Sequence, residues 1–165
     1  LQKLPSQIGV ELIYLDYVII GLISGIFPTI VMSIFEFPFY KIWGIKSVYE
    51  LHESEMIVCK LMKRKFQNNI SRMGILTHLL NGSLLSVPFV IFINLTNTNP
   101  SIIIGILYSV VIWLVTLLPV HKLITGESIS ENPYGYQPAL VSIIGHFIYG
   151  IMLYYSYMTL GGLLN

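Results

Sequence analysis

Charge is what this sequence has least of. Asp, Glu, Lys and Arg make up 10% of its 165 residues, whereas soluble domains carry about 25%. Hydrophobic residues make up 55%, and the mean hydropathy is +0.75. A globule of this size in water needs more polar surface than such a chain supplies. Soluble, disordered and collagen-like classes are therefore excluded. The formal net charge of +1 leaves no basic excess, and nucleic acid is not an expected partner.

Cysteine is also scarce. Cys59 stands alone, which rules out an internal disulfide framework and any zinc or iron–sulfur site built on cysteines. The chain has no P-loop, no dinucleotide-binding glycine fingerprint, no haem-attachment motif and no nucleophile–base motif. No cofactor, metal site or catalytic residue is expected.

Long apolar runs are what it does have. A hydrocarbon core of about 30 Å needs roughly 20 helical residues. Four stretches qualify, at about 12–35, 73–95, 101–120 and 139–157. None has the charged n-region and small-residue cleavage site of a signal peptide. Asn94 to Pro100 is a polar, uncharged turn, and Pro100 suits a helix start. Asn132-Pro133 marks a turn in the third connection, and Pro138 suits the first turn of the last helix.

A fifth segment, at about 47–66, differs in character. Ser47 and Glu50 have the spacing of a capping box. Val48, Leu51, Val58, Leu61, Met62 and Phe66 recur near helical spacing, with acids early and bases late. It is too polar to span, and reads as an interfacial helix with a solvated face carrying His52, Glu53 and Glu55. The fold class expected is all-α: a polytopic four-helix membrane bundle, one transmembrane domain, with an amphipathic interfacial helix between the first and second spans.

The bases set an orientation. Lys41, Lys46, Lys60, Lys63, Arg64, Lys65 and Arg72 all lie in the first connection, and Lys122 in the third. The positive-inside rule puts both connections in the cytoplasm and both termini outside the cell membrane. Phe37, Phe39, Tyr40 and Trp43 form an inner aromatic belt, and Tyr154, Tyr155 and Tyr157 an outer one. Asn94-Leu95-Thr96 is a glycosylation sequon on the outer side. Lys60, Lys63, Arg64 and Lys65 suit anionic lipid headgroups or serve only as topology determinants. His121 and Lys122 read as an interfacial cap.

Small residues, interrupted by a histidine in two spans, recur at four-residue spacing: Gly21, Gly25, Thr29 and Ser33; Gly74, His78, Gly82 and Ser86; Gly105 and Ser109; and Ser142, His146 and Gly150. In lipid, helices associate through close backbone approach and interhelical hydrogen bonds, so these positions are the expected helix contacts. Intramembrane polar residues are functional candidates by default. They are Glu36, His78, Asn81 and His146. His78 and His146 fall at similar depth, on the small-residue ridges, either as hydrogen-bonding imidazoles or as a ligand or proton-relay pair. Glu36 is expected to pair with a base such as Lys41. Asp16 and Glu11 are expected to reach the outer water.

Several short stretches carry a resemblance. They are Gly21-Leu-Ile-Ser-Gly25 with Pro28-Thr29, the run from Trp43 through Glu50 to Glu53, Pro119-Val-His121-Lys122, and Gly145-His146-Phe-Ile-Tyr149-Gly150. Together they resemble an uncharacterised family of small four-helix membrane proteins of archaea and bacteria. That resemblance implies a small integral protein and an accessory subunit of a larger assembly. A membrane oxidase or a copper-type ammonia monooxygenase is the analogous assembly. The expected function is thus a non-catalytic accessory subunit, with the lipid bilayer and larger integral membrane subunits as partners. Two alternatives stay open: a small oligomeric transporter or channel, and a metal- or redox-active subunit using His78 and His146.

Overall fold

The computed structural model describes residues 5–161, and their side chains from Tyr14 onward. Among the described residues there is no strand. Helix α1 spans Pro5–Trp43, α2 Tyr49–Leu61, α3 Arg72–Thr96, α4 Ile102–Val115, α5 His121–Thr125 and α6 Gln137–Gly161. A π-helical turn at Thr116–Val120 joins α4 to α5. The segments Tyr14–Trp43, Arg72–Thr96, Ile102–Thr125 and Gln137–Gly161 are long and apolar enough to cross a membrane. The molecule is a multi-pass helical bundle.

Local chemistry sets the helix ends. Gly44 stops α1 with φ 80° and ψ −178°, a conformation open to glycine alone. Ser71 caps α3, its side chain accepting from Gly74 N at 3.1 Å, and Ser101 caps α4. Asn97 ends α3 in the left-handed region. The capping box expected at Ser47 and Glu50 is not formed. Ser47 Oγ donates to Gly44 O at 2.6 Å and to Phe39 O, and Glu50 turns elsewhere.

Small residues bring the helices together. α1 packs most extensively on α3 and α6, and α4 packs on α6. A side-chain carbon on Gly25 would lie 2.5 Å from Gly82 O, and one on Gly21 2.7 Å from Val87 Cα. Ser83 and Ser86 seal this contact by donating to Leu22 O and Gly21 O. Gly105 and Gly150 are likewise in backbone contact across α4 and α6. Gly74 instead leaves room for Glu55 of α2.

The core on one side of mid-bundle is apolar. Phe89, Val90, Ile93 and Leu153 are at most 3% exposed there. Tyr157, expected in an aromatic belt, is buried in this core and takes a hydrogen bond from Asn94 at 3.2 Å. The Asn94 amide also donates to Val90 O, so the sequon asparagine is helical and engaged inside the bundle. Asp16, at this end, is exposed, and Glu11 lies outside the described side chains.

The opposite end carries the bases and holds α2. α2 packs on α3 and α5 and touches α6. Its His52, Glu53 and Glu55 are all buried, which corrects the solvated face expected for them. Both sides of this helix are covered, so its acids find protein partners rather than water. Glu55 accepts from Arg64, from Ser71 N and from Ser71 Oγ. Arg64 is therefore engaged in tying α2 to the start of α3, while Lys60, Lys63 and Lys65 are exposed. The lone Cys59 is buried.

Candidate functional site

A cavity of about 390 Å³ lies within the basic half of the bundle. Each element gives it a chemically distinct wall. α3 supplies His78 and Asn81, α6 supplies His146 and Tyr149, and α2 supplies Glu50, Glu53 and Ser54. Ile112, Val115, Val120 and Ile124 make the α4–α5 wall apolar, apart from Thr116. The two intramembrane histidines singled out from the sequence thus share one cavity.

Glu50 and His146 form the first acid–base pair. Glu50 Oε1 lies 3.5 Å from His146 Nδ1 and accepts a hydrogen bond from Ser142 Oγ. Ser142 Oγ in turn accepts from Trp113 Nε1 at 3.1 Å. His146 Nδ1 is 2.9 Å from Ser142 O. A carbonyl only accepts, so Nδ1 carries a proton and donates it to Ser142 O. Glu50 Oε2 is buried without a partner.

Glu53 and His121 form the second pair, with Nδ1 to Oε1 at 2.9 Å. Burial pushes the Glu53 carboxyl up to about 7, against the opposing pull of His121. His52 sits 5.9 Å from His121, ring to ring. Burial first, and His121 second, hold its pKa down at about 4. Tyr49 packs edge-on to His121 at 4.5 Å, and burial with the nearby Glu50 charge pushes its phenol up to about 12.

His121 was expected to cap the third span at the interface. It is instead 2% exposed, because the π-helical turn containing Pro119 shifts the helix register just before it. Glu36 was expected to pair with a base such as Lys41. Lys41 instead lies over the Phe37 ring at 5.1 Å, five residues along and on another side of α1. Glu36 is 0% exposed and neither carboxylate oxygen has a partner. It occupies the space that the missing side chain of Gly145 leaves on α6. His78 Nε2 meets Ser33 Oγ at 2.9 Å, and Tyr149 donates to Gly82 O at 2.7 Å, while Asn81 lines the cavity.

Sequence reasoning missed Glu50, Glu53, Ser54, His121, Tyr149 and Gly145 as a group. For Glu50 and Glu53 the signal was an amphipathic segment with acids on more than one face, which a helix lying on a membrane surface does not need. No group of three or more His, Cys, Asp or Glu side chains is arranged to hold a metal ion among the described residues. The cavity stops at Tyr149, beyond which the apolar core is closed.

Compared with protein-family models, curated proteins and solved structures, the chain matches none.

Proposed function

We propose that this multi-pass membrane protein binds a small molecule in the cavity at its basic end and exchanges a proton with it. The observation that supports this reading is the inward fold of α2, which brings Glu50 to His146 and Glu53 to His121. Buried charges cost several kcal/mol unless they are paired, and intramembrane ionisable groups cluster at functional sites. A bundle used only for packing has no need of two carboxylate–imidazole pairs around an open space. An imidazole bonded through Nδ1, with Nε2 free, is the form that takes a proton from a bound ligand. The apolar core beyond Tyr149 favours a dead-ended binding site over a continuous pore.

The positive-inside rule supports a cytoplasmic placement of this end, with both termini outside the cell membrane. The accessory-subunit reading rests on the apolar outer faces and on the family resemblance. Lipid covers such faces as readily as a larger subunit does, so that reading has less behind it than the cavity.

The test is thermal unfolding of the purified chain with separate panels of amines, carboxylic acids, alcohols and single-chain lipids. At least one class is expected to raise the melting temperature of the wild type and to have no effect on Glu50→Gln or His146→Gln. If no class stabilises the wild type, the reading fails.

A further inference from the structure

The cavity opens sideways. α3 and α4 follow each other in sequence yet make only isolated contacts. Going round the bundle, the packed order is α3, α1, α6, α4, and the ring is not closed between α4 and α3. One bridge crosses this gap, where Tyr108 donates to Leu85 O and its ring lies 5.2 Å from that of Phe89. On the basic side of that bridge the cavity wall reaches the surface. Leu84 and Val115 line the cavity and are 59% and 53% exposed. Both lie near the middle of segments able to span the bilayer. The mouth therefore faces hydrocarbon, and its rim is apolar.

The inner wall has the opposite character. Its unsatisfied polar atoms are Glu50 Oε2, a carboxyl acceptor, and Ser54 Oγ, a hydroxyl that can both accept and donate, on a side chain 1% exposed. Glu53 stands on the same wall. No Lys or Arg lines the cavity. Lys46 is paired with Glu127, and Arg64 with Glu55. Carboxylates in such surroundings call for a donor that carries positive charge. At about 390 Å³ the space is at the small end of ligand pockets, too small for a two-chain lipid.

Resting on the binding reading above, we infer that the ligand is a membrane-dissolved, single-chain or similarly compact amine. It enters between α3 and α4 past Leu84 and Val115, and its ammonium group docks on Glu50 and Ser54.

Radiolabelled dodecylamine binding to the full chain in phosphatidylcholine nanodiscs tests this, with dodecanol, dodecanoate and methylammonium as comparisons. Dodecylamine is expected to bind saturably, about tenfold more weakly in Glu50→Gln, the loss of one charged partner. Ser54→Ala, which removes only a hydroxyl, lowers affinity severalfold and serves if Glu50→Gln does not fold. Leu84→Phe combined with Val115→Phe narrows the mouth and slows association of dodecylamine. Saturable binding of dodecanoate or dodecanol in place of dodecylamine overturns the amine assignment and leaves the binding reading standing. Methylammonium binding as tightly as dodecylamine, or association unchanged by the two phenylalanines, overturns entry from the bilayer. If none of the four probes binds saturably, the inference fails, and the thermal-unfolding panel decides the binding reading separately.

Discussion

Glu50 has two descriptions that exclude each other. By spacing it is the fourth residue of a capping box; in the fold it faces Ser142 and His146, ninety-odd positions away. Local spacing carries no information about which distant helix lies alongside, so the residue type was legible and its role was not. Glu53 shows the same limit, since His121 reaches it only through the π-helical turn. This pair yields a pH prediction. The folded-state pKa of Glu53 is raised to about 7, so its contribution to stability is full below the unfolded value near 4.5 and is lost as pH rises to 7. His52 acts oppositely, because its folded-state pKa is lowered to about 4. Its contribution is full above about 6.5 and is lost as pH falls through 4. Comparing wild type with Glu53→Gln cancels the His52 part. The melting temperature of the wild type, relative to Glu53→Gln, is expected to fall from pH 4.5 to pH 7 in a detergent titration. A difference that stays flat refutes the raised pKa.

The helices themselves were far more legible than their partners. Span length is set by bilayer thickness and rise per residue, so apolar runs locate helices without any knowledge of packing. The small-residue ridges marked real contacts for Gly21, Gly25, Gly82, Gly105 and Gly150, because close backbone approach tolerates little else. Gly25→Val is expected to destabilise the bundle by about 1–3 kcal/mol through overpacking. Ile23→Val, on an exposed face of the same helix, should cost less than about 0.5 kcal/mol. Unfolding of the two variants in mixed micelles checks the contrast, and equal losses contradict the contact. α2 was recognisable as a helix from its periodicity, and its placement was not. Its mixed surface fits a membrane interface as well as it fits a socket between α3, α5 and α6. What favours the socket is partner supply: Arg64, Ser71, His121 and Ser142 stand where its acids need them.

The whole molecule is polarised, with an apolar core at one end and, at the other, a cavity whose inner wall carries acids and imidazoles. If the basic end lies in the cytoplasm, a cysteine at Lys65 should react with an impermeant thiol reagent only in opened cells. One at Thr98 should react on intact cells. Both are placed in a Cys59→Ala background, and the reverse pattern inverts the topology. Composition and periodicity alone determined that the chain is helical, how many runs are long enough to span a bilayer, and which small residues let helices touch. These are properties of single segments in a solvent of known thickness and polarity. Only the tertiary structure decided that scattered ionisable groups converge. Glu36, Glu50 and Glu53, with His78, His121 and His146, come from α1, α2, α3, α5 and α6. Their meeting depends on which helices pack, which leave a gap, and how one π-helical turn aims a ring. Packing energy between helices fixes those choices, and it is not written in any one helix.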